Sequence, residues 1–213
     1  MTEAINDWYP PNPGVSQFLQ TDVDDVQVNR GFVAHLHWTA TESASKSATG
    51  IHAAVTDNGT VQTITTGITN PSCPRNLTVT AGGTAGDVKA IQVTITGTDY
   101  NDEVITEVMP IFVVDTPATK TGLKAFKTVT SISMPAHDGT GATTSVGVED
   151  TFGLPFKRRV MGVGDMFLGV NRNTGTPTIK FSATSLSNNT LKTSGAVNGT
   201  TQDVFLFVAP DHP

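Results

Sequence analysis

RNLTVT at residues 75–80, AGGTAG at 81–86, DVKAIQVTITGTDYNDEVITEVMPIFVV at 87–114 and LKAFKTVTSISMP at 123–135 decide the fold. These β-rich runs are separated by Gly, Asp, Asn and Pro, with no helical period between them, which is the pattern of a sheet-building unit. Leu77 and Val79 share one face of their strand, and Lys89, Ile91, Val93 and Ile95 share one face of theirs. AGGTAG lacks the Gly-Lys-Ser/Thr of a phosphate loop and does not match the dinucleotide fingerprint, so it reads as a hairpin loop. GTDYNDE (97–103) reads as a turn. Val104 to Val114 reads as a strand in which Pro110 marks an edge position or a bulge. Phe126, Val129 and Ile132 break strict alternation; a bulge between Val129 and Ile132 would return all three to the core.

Composition supports an all-β chain. The sequence has 213 residues, with 35 Thr and 20 Gly. Thr is β-branched and suits a half-exposed pleated face, while Gly serves turns. Only 15% of residues are charged, so neutral polar groups must cover much of the surface. The formal net charge is −6, and the 13 basic residues are scattered, which argues against tight phosphate-backbone binding and so against a nucleic-acid partner. The one basic cluster, Lys157, Arg158 and Arg159, reads as an exposed strand start or a protein contact. The single cysteine, Cys73, excludes an intrachain disulfide and reads as a small, partly buried residue. The N-terminus has neither a basic nor an apolar signal segment, and the longest apolar runs are too short to span a bilayer, so no membrane partner is expected.

Residues 1–30 differ from the rest and read as an extended arm. Pro10, Pro11 and Pro13 oppose regular helix, and Trp8 and Tyr9 precede them. Such aromatics either fold back on their own domain or dock on a neighbour. Trp8, Tyr9, Pro10 and Pro11 are therefore the candidate partner contacts. Asp22, Asp24 and Asp25 resemble part of a calcium loop but lack its glycine and distal Glu. From residue 31 to 213 a β-sandwich domain is expected, with its central sheet unit at 70–156. GFVAHLHWT (31–39) alternates, which places Leu36 and Trp38 on one face and His35 and His37 on the other. Histidines at i and i+2 can hold a metal, but no third ligand is identifiable from the sequence, so they read as surface residues. Gly50–Thr56 and Thr60–Thr66 read as a hairpin about Asp57-Asn58-Gly59. Beyond the central unit, Arg159–Val163, Met166–Val170, Thr178–Thr184 and Asp203–Val208 read as strands; the last is apolar at consecutive positions and so buried on both faces or in an interface.

No catalytic constellation is legible. His137 and Asp138 adjoin without a nucleophile, and Asp102/Glu103 and Glu149/Asp150 are sequence neighbours that point apart. The expectation is a non-enzyme without cofactor or metal.

Residues 70–156 resemble a sequence pattern of structural proteins of tailed bacteriophages. The pieces that carry it are ITNPSCPRNLTVTAGG, the DVKAIQVTITGTD run, EVITEVMP and AFKTVTSISMPAHDGTGATTSVGVEDTFGLPF. The resemblance implies a virion component built from an antiparallel β-sandwich, as one body or as two sheet-rich halves. Capsid decoration, cement or head-fibre roles come first, and a tail or fibre receptor- or carbohydrate-binding module is the alternative. The implied partners are other virion proteins, the major capsid protein foremost, and further copies of the chain as a trimer or other cyclic oligomer. The resemblance supplies no active-site residues.

Overall fold

A computed structural model describes residues 18–20, 27–29, 32–157, 177–193 and 195–208. The described residues form an all-β fold of packed antiparallel sheets. The strands are β1 (Phe18–Gln20), β2 (Gln27–Asn29), β3 (Phe32–Trp38), β4 (Ser47–Thr56), β5 (Gln62–Ile64), β6 (Arg75–Gly83), β7 (Thr94–Thr98), β8 (Val104–Val108), β9 (Ala118–Phe126), β10 (Thr128–Met134), β11 (Ala142–Gly153), β12 (Thr178–Lys180), β13 (Thr190–Lys192) and β14 (Gln202–Val208).

The larger sheet runs β12-β13-β11-β6-β9, with β4 also paired to β11. The twelve-residue β11 is its spine, with β6 along one edge and β4 and then β13 along the other. The second sheet runs β5-β10-β7-β8. Alternation places Leu77, Val79 and Ala81 of β6 inward, against Ile95, Val129, Ile132 and Met134 of the second sheet. Phe126, Val129 and Ile132 are all buried, and the β10–β7 register shifts between Val129 and Ser131. The bulge thus lies where the broken alternation predicts it.

A second core lies around Trp38, Phe152, Leu154, Leu191, Val197 and Val204. Trp38 stacks on Phe152, with ring centroids 4.4 Å apart. Here the two-stranded β3/β14 ribbon roots into the larger sheet. Beneath it, Arg75 is almost fully buried and organises the backbone. Its Nε donates to the Glu149 carbonyl (2.9 Å), its Nη1 to the Ala44 carbonyl (2.7 Å) and its Nη2, at 3.4 Å, to Asp150 Oδ1. The guanidinium also lies 5.3 Å from the centre of the Phe152 ring.

Several connections differ from the sequence reading. β4 and β5 do not form a hairpin: β4 pairs with β11 and β5 with β10, in different sheets. The Asp57-Asn58-Gly59 turn is present, with Gly59 at φ +76° and its N–H donated to Asp57 Oδ2, but it carries the chain across the sandwich. AGGTAG is likewise no hairpin loop. β6 continues through Gly83, which pairs with Ala142, and the chain then crosses through a 3-10 turn at Ala85–Asp87 to the other sheet. Neither crossing has a local signature, because a tight turn joins sheets as readily as neighbouring strands. Within the stretch read as an arm, β1 and β2 pair with each other. Trp8, Tyr9, Pro10 and Pro11 lie outside the described residues, as do Asp22, Asp24 and Asp25, Arg158 and Arg159, and the strands expected at 159–163 and 166–170.

Candidate functional site

The open side of the sandwich offers the clearest contact surface. β8 ends the second sheet and β9 ends the larger one. Beyond β8 the chain stays bonded to the segment before β7: the N–H groups of Met109, Phe112 and Asp115 donate to the carbonyls of Val93, Ile91 and Val88. The chain therefore runs along one edge from β8 to Phe112, broken at Pro110, which has no N–H to offer, before Val113–Thr116 turns it back through a bridged tight turn. Along this stretch Val104, Val108, Ile111, Val113 and Val114 are each more than half exposed, with Val104 at 77%. On β9, Leu123 is 59% exposed. Scattered exposed apolar residues are ordinary, but the five from Val104 to Val114 lie close along one segment of edge and adjoining turn and make a local apolar strip.

Two side chains fix this edge to the rest of the molecule. Glu107 turns inward from β8 and accepts the backbone N–H groups of Leu123 (2.5 Å) and Lys124 (3.3 Å) on β9. Burial pushes its carboxyl above the usual range, opposed by those backbone bonds and by Lys124. In return, Lys124 Nζ donates to the Thr106 carbonyl at 2.7 Å. A Cβ at Gly122 would lie 2.6 Å from Glu107 Oε2, so a side chain there would push the carboxylate away from these backbone bonds. The β8 and β9 edges are thus held in one fixed relation, presenting a rigid rather than a loose apolar strip.

A second feature is a groove of about 250 Å³, lined among others by Asn76, Leu123, Glu149, Thr151, Thr190 and Lys192. Asn76 donates its amide to the Gly122 carbonyl (2.7 Å), but its buried Oδ1 has no hydrogen-bond partner. Glu149 lies 3.8 Å from Lys46 and 4.0 Å from Lys192. Amide, hydroxyl, carboxylate and ammonium groups here line a concavity without an exposed aromatic platform among its lining residues.

The third feature joins residues that the sequence keeps far apart. His35 and His37 lie on one face of β3, and β14 places Asp203 directly opposite His37. His35 Nε2 and His37 Nδ1 each lie 2.8 Å from Asp203 Oδ1. Both hydrogen bonds hold the Asp203 carboxyl below its usual range, despite a small opposing effect of desolvation. The third group that strand alternation alone left unidentified is therefore Asp203. Its only sequence signal was its place at the start of a strand of unknown partner.

Among the described residues, Cys73 and His137 are held in buried packing and Asp138 in a surface ion pair. Burial pushes the Cys73 thiol up to about 12, against the lowering effect of Arg75, so it stays protonated. His137 is buried and packs beside Phe112. Its Nδ1 accepts the Lys89 N–H (3.1 Å) and its Nε2 pairs with Thr144 Oγ1 (3.0 Å). Asp138 points instead to Lys89 Nζ at 2.8 Å, so the adjacent His and Asp form no dyad.

No protein-family model, no curated protein and no solved structure matches this chain.

Proposed function

We propose that the chain is a structural component of a tailed-phage virion, acting on the capsid exterior as a decoration or cement protein. The observation that carries this reading is the rigid apolar edge at Val104–Val114. Assembly proteins bind by packing and by strand addition at exposed edges, and this edge offers both. The all-β body and the sequence resemblance of residues 70–156 support the same reading. The edge would meet a neighbouring virion protein, the major capsid protein foremost, with the N-terminal segment around Trp8 and Tyr9 as a second attachment.

The test is co-sedimentation of the purified chain with shells that lack it, together with imaging of whole particles. Wild type should pellet with shells and appear as surface density. A Val104→Asp/Val108→Asp variant should stay in the supernatant while keeping its circular dichroism. Absence of the chain from purified particles, or undiminished pelleting by that variant, overturns the proposal. Removal of residues 1–14 separates the arm from the edge: full-strength binding without them would leave the edge as the anchor.

The groove beside Asn76 favours a second reading, a receptor- or carbohydrate-binding module of a tail or fibre. Its threonine hydroxyls, with the flanking Glu149 and Lys192, suit a polyhydroxylated ligand better than a protein edge. Glycan-array binding abolished by Lys192→Ala, with shell binding absent, would favour this reading over the first.

A further inference from the structure

We propose that His35, His37 and Asp203 form a site for a divalent transition-metal ion of the zinc class, clasping β3 to β14. This inference is independent of the virion reading. The strand geometry brings the groups together: i and i+2 on β3 share a face, and the antiparallel register places Asp203 opposite His37 on that face. Two ring nitrogens, one an Nε2 and the other an Nδ1, converge on a single carboxylate oxygen at 2.8 Å each. The three ligand atoms all lie within 4.8 Å of one another. A tetrahedral zinc ion with bonds of about 2.0–2.2 Å separates its ligand atoms by roughly 3.3–3.5 Å. Admitting an ion therefore requires each nitrogen to recede from Asp203 by about half an ångström. The side chains have that freedom, since both imidazoles are 50% exposed and the carboxylate is 31% exposed.

The donor set selects the ion. Two imidazoles and one carboxylate suit zinc, cobalt, nickel or copper, whereas calcium and magnesium take all-oxygen sets. Three protein ligands leave a fourth position to water, as in open zinc sites. An imidazole holds an ion only through an unprotonated ring nitrogen, and the carboxylate only when ionised, so protons compete with the ion and affinity must fall as the solution is acidified. Its consequence is mechanical: the ion would bind residues 168 positions apart in the chain and fix the register of a two-stranded ribbon.

The full-length chain, stripped with chelator, is titrated with zinc chloride by calorimetry and with cobalt(II) by visible absorption. Expected are saturable binding at one ion per chain, a cobalt d–d band of a nitrogen/oxygen site, and a thermal midpoint that rises with zinc. His37→Ala and Asp203→Asn should each weaken zinc binding by at least about tenfold and abolish the thermal shift. His52→Ala, at a histidine bonded to the Ala53 carbonyl, should change neither. Because the three groups are on the surface, circular dichroism of each variant checks folding separately. Absence of saturable binding in the wild type overturns the proposal and leaves a hydrogen-bonded cluster only. Equal binding by wild type and both variants overturns it as well.

Discussion

Replacing Arg75 should damage the protein far more than replacing its acidic neighbour. Arg75 sits in the second core with 1% of its surface exposed. Its two short hydrogen bonds go to carbonyls, at 2.7 and 2.9 Å, whereas the contact to Asp150 is long and single, at 3.4 Å. Arg75→Met keeps most of the side-chain volume but orphans two carbonyls, at about 1–3 kcal/mol each for buried ones. It also leaves Asp150, itself 5% exposed, as a buried carboxylate without its cation. Breaking a buried pair in this way costs about 3–5 kcal/mol, so a total of at least about 5 kcal/mol is expected. Asp150→Asn leaves the guanidinium its two carbonyls and the Phe152 ring, so it should cost only about 1–2 kcal/mol. Urea unfolding followed by tryptophan fluorescence measures both, since Trp38 stacks on the same Phe152. The reasoning is refuted if Asp150→Asn destabilises as much as Arg75→Met. Such a result would make the ion pair, rather than backbone organisation, the main role of the arginine.

Three other expectations follow from the geometry. Burial lowers the folded-state basicity of His137 below its ordinary value near 6.5, and its Nδ1 must stay unprotonated to accept the Lys89 N–H. A depressed pKa contributes stability present above the unfolded value and lost as pH falls towards the folded one, so the thermal midpoint should drop from about pH 7 to pH 5. In His137→Gln that part of the slope should vanish; an unchanged slope would exclude His137 as its source. Gly147→Ala should cost upwards of about 3 kcal/mol, because its Cβ would lie 1.8 Å from the Ser47 carbonyl oxygen, and moving it means moving β4 off the spine strand. Gly59→Ala, strained only by its positive φ with open space around it, should cost about 1 kcal/mol; denaturation midpoints compare the two. Cys73, with a thiol pushed up to about 12, should resist an aromatic disulfide reagent at neutral pH and react rapidly in urea; fast reaction in the native state would contradict its burial.

Local pattern revealed what local physics controls. Alternation grouped Leu77 with Val79, and Ile91 with Val93 and Ile95, on shared faces that the structure buries, and its failure at Phe126, Val129 and Ile132 located a bulge to within a residue or two. Lys89, placed on that same face by alternation, instead reaches Asp138 at the surface, because residues 88–93 are not regular strand. Strand partnership was not legible. Asp57-Asn58-Gly59 and AGGTAG have the chemistry of hairpin turns, yet each joins strands of different sheets, since the partner of β4 is chosen by apolar burial against β11 about ninety residues away. The same long-range pairing hid Asp203 from His37, and hid the burial of Arg75, which as a charged residue at a strand start looks exposed. The apolar edge was half legible: Pro110 announced an edge, but Val104, Val108 and Ile111 look like core until their missing neighbour strand is known.

The β3/β14 ribbon governs how the molecule responds to tension. Its seven paired positions run from Phe32 with Val208 to Trp38 with Gln202, so traction applied at residues 32 and 208 acts on the same end of the ribbon. Its backbone bonds then meet the load one after another, as in a zipper, and part at low force. Rupture would travel towards Trp38, where the ring stacked on Phe152 anchors the ribbon in the sandwich. Under such a load the register would let the ribbon open one pair at a time, and an ion held at His35, His37 and Asp203 would resist that opening partway along.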